Sequence, residues 1–330
     1  MTPVAIDRFE ARTADGWILA MRRTTAADRS LLPSTAPRRP VLIVPGYGMN
    51  SFIFGYHPRG RSLEAHLAWR GFEVWSADLR AQGRSRLAEG ATRRPFGLEE
   101  LSLVDVDAAV SAVLARTATG ADRVDLIGVS LGAALMFGHA GVNRDARLGS
   151  LVSFGGPLRW ERVHPVVAVA FRSPALAGAV PFRGTRTLAR YALPVLAKLP
   201  SILSVYLNPR VSDVSRVHEL VQTVEDPVPQ INREIAEWIR DRDLTLRGVN
   251  VTHAAGALDN PLLCVVAMGD GIVPPETARA PMHLTRSRSK QVLEVGDRDT
   301  HIAHADLFIS NDSPRTVFDP VAKWLGEQDL

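Results

Sequence analysis

The first half of the chain alternates short apolar runs with amphipathic stretches. The continuous apolar runs predict buried strands, because a strand covered on both faces of a sheet has little need of polar side chains. They lie at positions 41–44, 72–77, 124–127 and 148–154. The stretches between them, at 62–70, at 98–116 and from 131 onward, have the spacing or the small apolar character of helices. We therefore predict an α/β protein with a mostly parallel sheet and helices on both faces.

The rest of the pattern predicts the domain organisation. Positions 7–23 alternate like a β-hairpin that turns at Ala14-Asp15-Gly16. Two further strand runs and an amphipathic helix follow near the end of the chain, at 262–266, 291–295 and 313–325. In the middle the alternation stops, and many prolines interrupt helical and loop segments. We predict a core domain formed by residues 1–157 and 257–330, with a helical cap insert at 158–256.

Composition narrows the class of protein. Hydrophobic residues make up 46% of the chain and charged residues 22%, which indicates a globular protein able to bury a full core. The net charge is +4, and the densest basic cluster, Arg286, Arg288 and Lys290, is too short to bind nucleic acid. Cys264 is the single cysteine, so an internal disulfide and a cysteine-ligated metal site are excluded. Its apolar surroundings predict a buried thiol.

Localisation is predicted from what the chain lacks. The first ten residues show no basic stretch followed by an apolar one, and no uncharged apolar run approaches the roughly 18 residues that a membrane span needs. The longest apolar region, 173–207, is interrupted by arginines, a lysine and prolines. An interfacial membrane role for it is less favoured, because those arginines show no single face in the sequence. We expect a cytoplasmic protein without stable membrane anchoring, and the sequence leaves the oligomeric state undetermined.

Ser130 lies in a motif with the spacing Gly128-x-Ser130-x-Gly132, between a predicted strand and a predicted helix. A turn this tight leaves no room for side chains two positions before and after the serine, a demand that glycine meets. The hydroxyl would stand clear of the sheet at the start of a helix, as in a nucleophile elbow. The alternative is a glycine-rich turn with an incidental serine. The strand-turn-helix context favours Ser130 as a nucleophile.

A second glycine-rich loop follows the strand at 41–44. A serine nucleophile that attacks a carbonyl needs two backbone donors to stabilise the oxyanion that forms. The N–H of Leu131, directly after the nucleophile, is one candidate. The N–H of Tyr47 is the other, because Gly46 and Gly48 beside it let the backbone approach a substrate closely. A plain glycine-rich turn is the alternative for this loop.

Serine becomes a good nucleophile only when a histidine accepts its proton and a carboxylate orients that histidine. Asp270 follows the strand predicted at 262–266, and His304 follows the strand predicted at 291–295. Both therefore fall at the carboxyl ends of strands, where open parallel sheets place their sites. Asp270 could instead be a turn aspartate before a glycine. His301 is an alternative to His304 as this histidine. His304 lies further along the loop and can therefore extend further back over the sheet towards Ser130.

Several motifs together resemble the cofactor-free esterases, lipases and acyltransferases of the α/β-hydrolase superfamily. The segments that carry the resemblance are Pro45-Gly-Tyr-Gly48, Asp78-Leu-Arg-Ala-Gln-Gly-Arg-Ser85, Gly128-Val-Ser-Leu-Gly132, Asp270-Gly-Ile-Val-Pro274 and His304-Ala-Asp-Leu307. The resemblance covers about 41–156 and 261–325, and it implies the α/β-hydrolase fold, a Ser130–Asp270–His304 triad, no cofactor and no metal. It also implies a structural role for Asp78 and Arg80.

Two departures from the family pattern change the expectation. Pro45 stands where many members have a histidine, which alters how the oxyanion loop is braced. The residues around His304 also resemble acid lipases and polyhydroxyalkanoate synthase relatives. Those synthases use a cysteine nucleophile, so the serine at position 130 favours hydrolysis over polymer synthesis.

The predicted function is hydrolysis of small-molecule carboxylic esters through an acyl-enzyme. The insert contains apolar runs at 166–171, 176–180, 193–197 and 202–206, which suit an apolar acyl or alcohol group or, equally, form the insert's own core. An acyltransferase would use the same triad, so the sequence does not separate it from a hydrolase. A ligand-binding homologue without turnover is the third alternative.

Overall fold

A nine-stranded sheet runs through the part of the chain that the computed structural model describes, which comprises residues 3–32, 38–179, 183–196, 203–297 and 299–328. The strand order is β1-β2-β4-β3-β6-β7-β10-β11, and β5 pairs with β2. Its strands are β1 (Val4–Arg12), β2 (Trp17–Ala26), β3 (Val41–Val44), β4 (Val74–Ala77), β5 (Arg86–Leu87), β6 (Val124–Val129), β7 (Leu148–Phe154), β10 (Leu262–Ala267) and β11 (Lys290–Val295). From β4 to β11 all pairings are parallel, whereas β1, β2 and β5 pair antiparallel.

Helices cover both faces of this sheet. The described α-helices are Leu63–Trp69, Leu98–Glu100, Val106–Leu114, Leu131–Asn143, Pro165–Ala170, Pro174–Ala179, Thr185–Leu196, Val217–Leu220, Pro229–Asp241, Val251–Ala255, Pro275–Arg279, Pro281–Leu284, Asp306–Ile309 and Asp319–Glu327. A π-helical turn at Leu101–Asp105 joins the second of these to the third, and another at Pro314–Phe318 precedes the last. A short hairpin of β8 (Thr245–Leu246) and β9 (Val249–Asn250) lies between β7 and β10.

The central strands divide the apolar core into two layers. Along β3, Leu42 and Val44 belong to one buried cluster, and Val41 and Ile43 belong to the other. Successive side chains of a strand point to opposite faces, so a strand with core on both sides must be apolar throughout. The edge strand β11 is largely half-exposed and includes charged residues. Continuous apolar runs therefore mark the centre of this sheet.

The predicted α/β architecture with a mostly parallel sheet is confirmed. Where the sequence pattern predicts one helix at 313–325, the chain forms the π-helical turn Pro314–Phe318 followed by the helix Asp319–Glu327. The apolar insert runs reach positions 180, 197 and 202, which lie outside the described residues. The division into a core and an insert at 158–256 stays a prediction. Among the described helices, none is both long and apolar enough to cross a membrane.

Candidate active site

Ser130 forms a strained turn between β6 and the helix Leu131–Asn143. Its backbone angles are φ 54° and ψ −124°, a conformation that costs a non-glycine residue about 1–3 kcal/mol. A side chain at Gly128 would overlap the backbone of the following helix, and one at Gly132 would overlap carbonyl oxygens at the end of β3. Both glycines are therefore sterically required, and the turn places the serine side chain at the amino terminus of the helix.

The loop after β3 lies directly against this turn. A Cβ atom at Gly46 would be only 2.9 Å from the Cβ atom of Ser130. The N–H of Tyr47 and the N–H of Leu131 have no backbone hydrogen-bond acceptor among the described residues, so both are free to serve a ligand. The Tyr47 hydroxyl donates to Oδ1 of Asn232 at 2.6 Å. Burial raises the pKa of Tyr47 to about 12, which keeps this hydroxyl neutral.

Asp270 and His304 are hydrogen-bonded to each other. The distance from His304 Nδ1 to Asp270 Oδ2 is 2.6 Å, and both residues are buried. The other carboxylate oxygen of Asp270 accepts the N–H groups of Ile272 and Val273 at 2.8 and 2.9 Å. When Nδ1–H donates this hydrogen bond to the carboxylate, the lone pair of the neutral imidazole lies on His304 Nε2. The arrangement can therefore present a neutral imidazole as a proton acceptor.

The turn after β7 connects the serine to this pair. A Cβ atom at Gly155 would lie 3.4 Å from both Asp270 Oδ2 and His304 Nδ1, and one at Gly156 would lie 2.7 Å from the carbonyl oxygen of Ser130. The two glycines are thus flanked by the nucleophile turn on one side and by the acid–histidine pair on the other. All three predicted residues gather at the carboxyl edge of neighbouring parallel strands.

His301 occupies a different position. Its Nε2 lies 3.0 Å from the backbone oxygen of Ser204, its side chain packs against Gly269, and the residue is exposed. It makes no hydrogen bond to Asp270 among the described contacts. The geometry therefore pairs the carboxylate with His304, as the sequence-based choice requires.

A segment near the middle of the predicted insert braces the histidine loop. Asp306, which is fully buried, accepts hydrogen bonds from the N–H of Asn208, the hydroxyl of Ser212 and the N–H of Ala303. Burial raises the pKa of Asp306 to about 6, although these donors favour its ionised form. The N–H of Ala305 also donates to the oxygen of Tyr206 at 2.8 Å. The backbone on both sides of His304 is thus held by residues about 95 positions away.

A second part of the predicted insert contacts and holds the oxyanion loop. The N–H of Glu225 donates to the oxygen of Gly48 at 2.8 Å, and the N–H of Asn50 donates to the oxygen of Thr223 at 2.9 Å. Together with the bond between Tyr47 and Asn232, these contacts fix the loop from one side. Sequence reasoning missed both braces. Only Asp306 carried a signal, as part of the family-like segment after His304.

One cluster outside this site has ligand atoms close enough to hold a metal ion. Ligand atoms of Asp107, His139 and Asp145 lie within 4.8 Å of one another. The guanidinium of Arg147 bonds to both carboxylates at 2.6 Å, so a cation already occupies the centre of the cluster. We interpret it as an ion-pair network. Cys264 is buried in β10, and burial raises the pKa of its thiol to about 12, which makes it a poor metal ligand.

Comparison with known proteins identifies the class to which this arrangement belongs. A sequence model of the alpha/beta hydrolase family matches residues 41–319. The chain therefore belongs to the alpha/beta hydrolase family. Two curated relatives match over shorter regions: a tear acid lipase-like protein of Mesocricetus auratus is 28% identical over 143 residues, and a probable lipase of Schizosaccharomyces pombe is 25% identical over 148 residues. These matches cover 42% and 43% of this chain but only 35% and 32% of the relatives.

Solved structures agree over almost the whole chain. An esterase from Thermogutta terrifontis has a TM-score of 0.59 at 18% identity, covering 98% of this chain and 100% of that chain. An esterase from Rhodococcus sp. has a TM-score of 0.62 at 16% identity, covering 97% and 99%. A meta-cleavage product hydrolase from Pseudomonas fluorescens has a TM-score of 0.60 at 13% identity, covering 97% of each. At these identities the likeness shows the fold alone.

Separate alanine substitutions of the two histidines test which of them is the base. His304→Ala should lower ester turnover by about a thousandfold or more, because it removes the imidazole that Asp270 orients. His301→Ala should keep most of the activity, since it removes only an exposed bond to Ser204. Steady-state kinetics with a chromogenic ester, alongside circular dichroism to confirm folding, gives the comparison. Loss of activity in His301→Ala with retention in His304→Ala would reverse the assignment.

Proposed function

We propose that this protein hydrolyses carboxylic esters, with Ser130 as nucleophile, His304 as general base and acid, and Asp270 as the carboxylate that orients His304. The observation that carries the proposal is the 2.6 Å bond between Asp270 and His304, on one side of the glycines 155 and 156, with the strained Ser130 on the other side. Membership of the alpha/beta hydrolase family and the lipase-like relatives support the same chemistry.

In the first half-reaction, His304 Nε2 accepts the proton of the Ser130 hydroxyl as its oxygen attacks the ester carbonyl. The oxyanion that forms accepts hydrogen bonds from the N–H groups of Tyr47 and Leu131. His304 then protonates the leaving alcohol, and an acyl group remains on Ser130. Water, activated by His304 in the same way, releases the carboxylic acid and restores the serine.

A fluorophosphonate probe tests this proposal directly. We expect one adduct by intact-mass analysis, because an activated serine displaces fluoride from the phosphorus and leaves a stable tetrahedral phosphonyl-serine. Ser130→Ala should give no adduct, and peptide mapping of the wild-type adduct should place it on residue 130. Product analysis with an added alcohol separates hydrolysis from acyl transfer. Labelling that persists in Ser130→Ala would refute the assignment of the nucleophile.

Preference for longer acyl chains is the finer part of the proposal. A cavity of about 30 Å³ lies beside the oxyanion loop, and Leu101, Leu131, Val228 and Ile231 contribute its apolar lining. Burying each additional methylene stabilises a complex by about 0.8 kcal/mol, so kcat/KM should rise about threefold to fourfold per methylene from acetate to butyrate. Ile231→Ser should flatten this increase. A series of p-nitrophenyl esters measures it, and turnover of acetate equal to or better than butyrate would contradict the prediction.

A further inference from the structure

The excess positive charge of the chain lies in one part of the insert. Residues 162–212 contain seven lysines and arginines and no aspartate or glutamate. The remaining residues together carry a formal charge of −3, although the whole chain stands at +4. The rest of the chain, taken together, is therefore slightly acidic, although it contains smaller basic clusters such as Arg286, Arg288 and Lys290.

Three helices of the basic segment expose large apolar side chains. Each helix turns another side toward the protein: Val167 is buried, Gly178 lies against the side chain of Arg233, and Arg186 forms an ion pair with Glu225. The apolar side chains that remain outside have exposed fractions between 55 and 72%. They are Val166, Val169, Leu176, Leu188 and Tyr191. Single exposed apolar residues are ordinary, whereas five within 26 positions indicate a contact surface.

The helix Thr185–Leu196 shows the arrangement best. Arg186 binds it to the rest of the protein, and Leu188 follows two residues later, about 200° around the helix. Leu188 and Tyr191 are one turn apart, so they share the face turned away from that contact. Arg190 is exposed and directly precedes Tyr191, about 100° from it around the helix, and Arg183 is exposed just before the helix begins. Exposed arginines with long side chains therefore border the apolar face of this helix.

These cations are available to an external partner. Arg172, Arg183 and Arg190 are exposed, and none of them forms an ion pair with an acidic residue in the described part of the chain. A surface that combines exposed apolar side chains with unpaired arginines matches a bilayer interface, where acyl chains accept the former and anionic headgroups the latter.

The inner side of the same helices contacts the candidate active site. Phe171, at the end of the helix Pro165–Ala170, packs edge-on against Tyr47 of the oxyanion loop, with ring centroids 6.1 Å apart. We propose that the outer face of the helices Pro165–Ala170, Pro174–Ala179 and Thr185–Leu196 docks reversibly on anionic phospholipid bilayers. Docking in this orientation places these helices between the bilayer and the oxyanion loop.

Other occupants fit the surface less well. A second copy of the chain would bring two basic segments face to face, which their like charge opposes. A nucleic acid would match the arginines but would leave the five apolar side chains without a partner. An anionic bilayer satisfies both kinds of side chain at once.

Co-sedimentation of the full-length Ser130→Ala protein with vesicles tests the proposal. This variant cannot complete the reaction proposed above, so binding is measured independently of whether that reaction occurs. We expect affinity for vesicles of phosphatidylcholine with 30% phosphatidylglycerol to exceed affinity for phosphatidylcholine alone by about tenfold or more. Raising the salt concentration should weaken the difference, because exposed charges are screened. Equal affinity for both vesicles, or binding to neither, would overturn the proposal.

Matched variants show whether this particular face is used. The double changes Leu188→Ser with Tyr191→Ser, and Arg183→Gln with Arg190→Gln, should each weaken binding by about tenfold. Ile6→Ser and Arg315→Gln remove an exposed apolar side chain and an exposed cation outside the basic segment, and both should bind like the parent. Thermal unfolding confirms that every variant is folded.

The remaining outcomes count against the proposal. If the control variants lose as much affinity for the vesicles as the double variants do, binding is not localised to this face. A concentration-dependent dimer that disappears on changing Leu188 and Tyr191 would instead assign the face to self-association. Tighter binding to double-stranded DNA than to anionic vesicles would assign it to nucleic acid.

Discussion

Replacing Ser130 with alanine should lower kcat for ester hydrolysis by about four to six orders of magnitude. The reason is that no other group stands at the turn to form the acyl-enzyme, so only the oxyanion donors and substrate binding remain to accelerate attack by water. Stopped-time assays at high enzyme concentration measure the residual rate. Ser150→Ala, which changes a buried serine at the amino end of β7, serves as the matched control and should stay within about threefold of the parent.

A double variant that carries both Ser130→Ala and His304→Ala gives a sharper test of the proposed mechanism. If Ser130 and His304 act in one proton-transfer unit, removing both should cost about as much as removing Ser130 alone. If the loss of kcat in the double variant instead equals the product of the two single losses, the residues act independently. That result would contradict the proposed roles.

Replacing Asp105 with alanine should destabilise the fold by about 3–5 kcal/mol. Arg80 and Asp105 form an almost completely buried ion pair, with 2.7 Å between Nη2 and Oδ1 and further bonds from Nε and the backbone N–H of Arg80. Removing the carboxylate leaves a buried guanidinium whose remaining partner, Asp15, is partly exposed. Urea unfolding followed by circular dichroism should show the loss as a lower transition midpoint.

An exposed ion pair provides the control for this prediction. Arg315 and Asp312 are paired at 3.3 Å, but their side chains are 75 and 70% exposed. Asp312→Ala should therefore change the free energy of unfolding by no more than about 1 kcal/mol. If the two substitutions change the free energy of unfolding by similar amounts, burial does not govern the cost of breaking an ion pair. That result would contradict the structural role assigned to Arg80.

The parts of the site that the sequence predicted are those defined by short-range patterns. The turn around Ser130 needs glycine at two fixed positions and lies between an apolar strand and a helix. The five residues from Gly128 to Gly132 and their immediate neighbours therefore contain most of the information. The central strands were predicted closely for the same reason, and the runs at 41–44 and 148–154 coincide with β3 and β7. The predicted helix boundaries differ from the observed ones where a helix changes type, as at the π-helical turn Pro314–Phe318.

The choice between two histidines shows where short-range patterns stop being sufficient. His301 and His304 lie three residues apart in one loop, so their spacing from the strand β11 favours neither strongly. The path of that loop is set by Asp306, whose carboxylate bonds to Asn208 and Ser212 in another part of the chain. Only with that path fixed does His304 face Asp270 while His301 reaches Ser204.

The sequence by itself determined the α/β class, the order of the strands along the chain and the position of the strained serine, because these depend on periodicity and on the sterics of neighbouring residues. Tertiary structure alone decided how residues of the segment 158–256 hold the oxyanion and histidine loops, and which face of its helices stays exposed. Those features rest on single hydrogen bonds between residues as far apart as Tyr47 and Asn232. The sequence near a polar loop residue does not identify its partner, because the partner lies far away along the chain and only the whole fold places the two side by side.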